Sequence, residues 1–206
     1  MEPFTRLTAV AAPLMRPNID TDALFPAPFI QSMQIDFAAA LFANWRADAD
    51  FVLNRDEYAG AQVLLSGPNF GCGSSREHAV WALAAWGFRA VIAPSYGDIF
   101  RDNAIRNGLL PVELPEEVIA AIAADLEAAN DKRLTVDLAA QTVTDGRGRS
   151  HAFTIDAAER EALLTGRDGI DMTLMQAEAI DRFQQADRTA RPWAWAPMAP
   201  GAATHR

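Results

Sequence analysis

Apolar positions along this chain switch repeatedly between short continuous runs and helical spacing. Residues 62–65 form a short apolar run that reads as a strand. Ala79, Val80, Leu83, Ala84 and Trp86 then recur as one buried helix face, which predicts a helix over 75–86 stopped by Gly87. A second run at 90–93 reads as a buried strand. Ile99, Phe100, Asn103 and Ile105 place a helix over 96–107, ending at Gly108. The run 109–114 predicts another strand, and Pro115 opens a helix through about 129 at the first helical position. Strand and helix therefore alternate over 62–129, which argues for an α/β unit.

The flanks are less regular. Residues 4–12 fit a first strand, and Pro13 and Pro17 enclose a turn. Asn18-Ile19-Asp20-Thr21-Asp22 is Asx-rich and suits a structured loop, either as turn chemistry alone or as a pocket floor. A short helix over 36–46 would turn Phe37, Leu41 and Phe42 inward. Farther on, 134–138, 141–144 and 150–155 are strand candidates, and Asp145-Gly146-Arg147-Gly148 is a turn between them, so a hairpin or meander is expected. Asp156 can cap a helix over 157–164, and a last helix is expected over about 174–185. Residues 187–206 are rich in Ala and Pro without a helical period. The expected organisation is one domain over 1–186 and a flexible tail over 187–206, whose Trp193 and Trp195 are candidate partner anchors.

Composition narrows the function. Half of the 206 residues are apolar, enough for one substantial core. A net charge of −9 argues against nucleic acid or an anionic membrane surface as partner. No basic-then-apolar run follows Met1-Glu2-Pro3, and no stretch is long and apolar enough to cross a bilayer. Cys72 is the single cysteine, so a cytoplasmic location is expected. Alone it forms no internal disulfide and no multi-cysteine metal site, and His78, His151 and His205 lack metal-ligand spacing. No metal site is expected in this chain.

The candidate chemistry lies in residues 69–78, Asn-Phe-Gly-Cys-Gly-Ser-Ser-Arg-Glu-His. Ser74 stands three residues before Glu77, the spacing of a capping box at the start of the 75–86 helix. One reading is that the two residues only cap the helix. The other is an anion site. Gly71 and Gly73 let the backbone approach a ligand, helix-terminal amides attract negative charge, and Arg76 adds a planar fork for a carboxylate.

Three segments occur in this order: Asn18 to Asp22; Asn69 to His78; and Val91-Ile92-Ala93-Pro94-Ser95 with Asp98-Ile99-Phe100 and Asn107-Gly108-Leu109-Leu110-Pro111. Together they resemble the small subunits of 3-isopropylmalate dehydratase, in the aconitase superfamily, over about residues 4–185. The resemblance implies an α/β fold of the aconitase-type swivelling β/β/α kind. It implies a separate large subunit carrying a [4Fe–4S] cluster, no cofactor in this chain, and an active site between the two subunits of a heterodimer. The family reaction isomerises a substituted malate by loss and re-addition of water through a maleate-type alkene, here 2- and 3-isopropylmalate through 2-isopropylmaleate in leucine biosynthesis. Iron acts there as a Lewis acid on the departing hydroxyl. By the same resemblance Ser74 matches the catalytic base, acting as an alkoxide. Ser75 and Arg76, with the Gly73 backbone, match contacts to a small dicarboxylate substrate. Asp20, Thr21, Asp22, Asn69, Gly71 and Cys72 are expected to shape the pocket.

One stretch departs from the family pattern. After Asp22 the family commonly shows a Lys-containing Ile-Ile-Pro-Lys-Gln-Phe-Leu-Lys-like run and then an Arg-Thr-Gly-Phe-Gly-like turn. Here residues 24–37 read Leu-Phe-Pro-Ala-Pro-Phe-Ile-Gln-Ser-Met-Gln-Ile-Asp-Phe, with no Lys or Arg between Arg16 and Arg46. Two alternatives stay open beside isopropylmalate isomerisation: a paralogous dehydratase for another substituted malate or maleate, and a non-catalytic binding module on the same fold.

Overall fold

The computed structural model describes residues 1–31 and 34–195; Ser32 and Met33 of the divergent stretch, and 196–206 of the expected tail, lie outside the described residues. Along the chain come β1 (Arg6–Leu14), the short helices α1 (Thr21–Leu24) and α2 (Phe37–Ala40), β2 (Val63–Ser66), α3 (His78–Trp86), β3 (Ala90–Ala93), α4 (Asp98–Arg106), β4 (Leu110–Glu113) and α5 (Glu116–Ala128). Then follow β5 (Arg133–Asp137), β6 (Thr142–Thr144), β7 (Ser150–Ala152) and α6 (Ala157–Thr165).

The strands make one seven-stranded sheet in the order β4-β3-β2-β1-β5-β6-β7. β1 joins its two halves. Ala11 to Leu14 run parallel to Val63 to Ser66, while Arg6 to Val10 pair antiparallel with β5. β3 and β4 extend the parallel half, and β6 and β7 extend the antiparallel half as the expected meander. β2 and β3 are buried along their whole length, as continuous apolar runs in a sheet covered on both faces should be.

Neighbouring residues of one strand serve opposite faces, because side chains alternate across a sheet. Leu64 and Val91 join one core with Ala79, Val80 and Leu83 of α3. Val63, Leu65, Ala90 and Ile92 join the other, with Ile119, Ile122 and Leu126 of α5 and Leu163 of α6. Full burial of a Leu or Ile side chain contributes roughly 1.5–3 kcal/mol, so these two apolar layers dominate the stability of the sheet.

The predicted 75–86 helix starts late. α3 begins at His78 behind Glu77, which makes no side-chain cap, so the expected Ser74–Glu77 capping box does not form. The physical reason is competition: the Ser74 hydroxyl bonds Thr21 and Arg76, while Glu77 Oε1 accepts from Asn107 Nδ2 at 2.7 Å. The helix ends as expected at Gly87, with φ 113°. Its buried face carries Ala82 rather than the exposed Ala84. The 18–22 loop also closes earlier than its Asx content suggests, because the Asp20 side chain accepts from Ala23 N and starts α1.

Contacts separate residues 168–206 from residues 1–167 as a second unit. Its described part holds α7 (Gly169–Leu174), α8 (Ala177–Ala190) and a single 3-10 turn at Pro192–Trp195. Where periodicity predicts one helix over 174–185, two are found, because Asp168 and Asp171 build a capping box that starts α7. Trp195 folds back locally: its Nε1 donates to Asp187 Oδ2 at 2.9 Å, and Arg188 lies over its ring.

Candidate functional site

Three loops leave the carboxyl ends of adjacent parallel strands: 15–20 after β1, 67–77 after β2 and 94–97 after β3. In open α/β sheets this end is where ligands bind. Short bridges tie the loops together, Asp20 with Cys72 and Phe70 with Tyr96. Thr21 N donates to Cys72 O at 2.9 Å, and Gly71 N donates to Ile19 O at 2.7 Å. At the outer rim Asn69 Nδ2 donates to Asn18 Oδ1 at 2.8 Å, both residues having positive φ.

Only a residue without Cβ fits at position 71. Its φ is +72°, and a Cβ there would lie 2.1 Å from the Phe100 ring. Phe100 thus presses on the glycine loop and fixes the wall of an open cleft of about 170 Å³, lined by Gly71, Cys72, Gly73, Ser74, Gly97, Asp98, Ile99 and Phe100. Sequence reasoning missed Gly97 and Phe100 as members of this wall. The only signal for them was Asp98-Ile99-Phe100 following a strand.

Ser74 is exposed at this cleft, and its Oγ is the hub of a small network. Arg76 Nε donates to it at 2.6 Å, and Thr21 Oγ1 lies 2.8 Å away. Ser74 N donates to Thr21 Oγ1 at 3.1 Å. Arg76 Nη2 donates to Asp22 Oδ1 at 2.5 Å, while Nη1 is buried without a hydrogen-bond partner. The expected carboxylate fork is therefore engaged on two sides, by Ser74 and by Asp22, and keeps one unsatisfied donor. A buried N–H without an acceptor is costly, and this one remains available to a further acceptor.

The other predicted residues sort around this hub. Gly73, with φ 97°, and Ser75 are exposed beside Ser74. Asp20, Thr21, Asp22, Gly71 and Cys72 frame it, and Asn69 stands at the rim rather than against the serine. Burial pushes the Cys72 thiol above its ordinary value and the Asp20 carboxylate adds to the effect, against a smaller opposing backbone hydrogen bond. Both effects favour the neutral thiol over the thiolate. Among the described residues no three His, Cys, Asp or Glu side chains converge as a metal set, and one cysteine does not fit an iron–sulfur cluster.

Phe25 and Phe37 of the divergent stretch form an aromatic layer against α3. His78 lies between Phe25, at 5.4 Å between ring centroids, and Trp81, at 5.0 Å, with Phe37 at 6.1 Å. Trp81 Nε1 is tied to Asn107 Oδ1 at 3.1 Å.

Comparison with known proteins agrees with this fold. A family model described as the aconitase C-terminal domain matches residues 1–117, and one described as LeuD_N matches 120–157. The chain is 50% identical to a 3-isopropylmalate dehydratase small subunit of Cupriavidus necator, over 94% of this chain and 98% of that protein. It also superposes on a crystal structure of 3-isopropylmalate dehydratase from Methanocaldococcus jannaschii with a TM-score of 0.63 and 27% identity, covering 87% of this chain and 99% of that one.

Proposed function

The chain belongs to the aconitase-type family of 3-isopropylmalate dehydratase small subunits, and from that premise we propose that it is the small subunit of a hydro-lyase interconverting 2- and 3-isopropylmalate through 2-isopropylmaleate in leucine biosynthesis. Its partner on this reading is a large subunit that carries the [4Fe–4S] cluster, in a cytoplasmic heterodimer whose active site lies between the chains. The activation of the departing hydroxyl belongs to that partner. This chain contributes the proton-handling side of the reaction.

The supporting observation is Ser74 Oγ, exposed at the cleft and held 2.6 Å from the Arg76 guanidinium. A serine hydroxyl is a weak base in water. It takes a carbon-bound proton only where fixed donors stabilise its anion. Arg76 is such a donor, and its charge also meets the negative charge that builds on the substrate carboxylate as the proton leaves. The exposed Ser75 hydroxyl and the Gly73 backbone offer further contacts to that carboxylate. Asp22 holds Arg76 in place.

Reconstitution tests the reading. The chain produced anaerobically together with a large subunit should isomerise 2-isopropylmalate, and neither chain should do so alone. The same assay over a panel of substituted malates reads the side-group preference. Turnover by this chain by itself, or no turnover by the pair on any of the malates, contradicts the proposal.

A further inference from the structure

Thr21 is 2% exposed, and its hydroxyl makes two contacts, both to Ser74. Oγ1 accepts the Ser74 backbone N–H at 3.1 Å and lies 2.8 Å from Ser74 Oγ. The direction of the second bond follows from accounting for each proton. If Ser74 donated to Thr21, the Thr21 proton would be buried without an acceptor, a cost of about 1–3 kcal/mol. If Thr21 donates to Ser74, the buried Thr21 proton and the Ser74 amide both have acceptors, and only the Ser74 hydroxyl proton faces the open cleft. Arg76 Nε has no lone pair to offer and is always a donor, at 2.6 Å from the same oxygen.

We infer that Thr21 is a positioning residue that donates its hydroxyl proton to Ser74 Oγ, so that Ser74 accepts two hydrogen bonds and turns its own proton out to the cleft. The inference rests on the reading of Ser74 as the base and goes beyond it, because it says which way the proton leaves and what steadies the oxygen afterwards. Once that proton has gone, the oxygen keeps one neutral donor and one cationic donor without any rearrangement. The Thr21 proton stays on Thr21 throughout. The same threonine also fixes the Ser74 amide, so the backbone and the reacting oxygen are set by a single hydroxyl.

The test uses the complex with the large subunit and compares Thr21→Val with Thr21→Ser. The valine variant keeps the shape and loses both the donor to Ser74 Oγ and the acceptor of the Ser74 N–H. It should lower kcat on the order of a hundredfold with little change in KM. It should also move the rising limb of the kcat–pH profile to higher pH, since the serine becomes harder to deprotonate. Thr21→Ser restores the donor and should return both the rate and the limb most of the way. Wild-type kcat and pH profile in Thr21→Val, or a Thr21→Ser variant as impaired as the valine, overturns the inference. Neutron diffraction of the complex decides independently of whether either variant folds. A deuteron on Thr21 directed at Ser74 Oγ supports the assignment, and a Ser74 deuteron directed at Thr21 refutes it. A parallel Ser74→Ala separates the layers: if that variant stays active, the base reading falls and this role with it. If it is inactive while Thr21→Val is fully active, only the role of Thr21 falls.

Discussion

At the scale of single residues, the proposed chemistry rests on a few oxygens and one guanidinium. The sequence showed Ser74, Ser75 and Arg76 as neighbours, with loop glycines before them, and the family resemblance put Thr21 and Asp22 in the same pocket, but neither showed which atoms they bond. Thr21 and Asp22 lie more than fifty residues earlier, and only the parallel pairing of β1 with β2 brings the two loops together. Spacing suggested a capping role for Ser74. It failed because a hydroxyl with two nearby side-chain partners has no reason to bond a helix amide. Arg76→Lys in the reconstituted complex should raise KM and lower kcat by roughly a hundredfold, because a single ammonium nitrogen does not reproduce the rigid planar fork that holds Ser74 through Nε and Asp22 through Nη2. Equal steady-state kinetics for the two proteins would remove Arg76 from the site.

At the scale of elements, the strands and helices between 62 and 129 were legible because each buried run there is continuous and each helix keeps one apolar stripe. Of the two short helices, α2 is a single turn inside the expected 36–46 helix, while the sequence pattern marks the start of α1 only as a structured loop. Each is started by a local aspartate cap, Asp36 or Asp20, rather than by a repeating apolar pattern. The glycine loop was visible as a loop, while its counterpart Phe100 was not, since pressure between two loops leaves no mark on either one's periodicity. Gly71→Ala would force a Cβ into the Phe100 ring at a positive φ. A loss of about 2–4 kcal/mol is expected, read as a lower midpoint in urea denaturation. An unchanged midpoint would mean that the loop and α4 are not in contact in solution.

At the scale of the molecule, a mixed sheet with both faces covered holds three loops at one edge, and the site is assembled from all three. The antiparallel half lies away from the chemistry but is held by its own charge cluster. Asp145, whose side chain is 1% exposed, would have its carboxyl raised by burial. Hydrogen bonds from the Arg149 amide and side chain, from His151 and from the Arg147 amide outweigh this and hold it below its ordinary 3.8. A depressed folded-state value stabilises the fold above the ordinary carboxylate range and is lost as pH falls through the folded value. Acid unfolding below about pH 4 should therefore be shallower in Asp145→Asn, which should also be less stable at neutral pH. Identical acid profiles would assign the acid sensitivity to other groups. The central claim is narrower: one serine oxygen, steadied by a guanidinium at the end of parallel strands, handles the proton for a dicarboxylate. Ser74→Ala, assayed in the anaerobically reconstituted complex with subunit association followed by gel filtration, tests it most directly. The account predicts a heterodimer that still forms and a loss of isopropylmalate isomerisation of at least about a hundredfold; a heterodimer that turns over at the wild-type rate would contradict it.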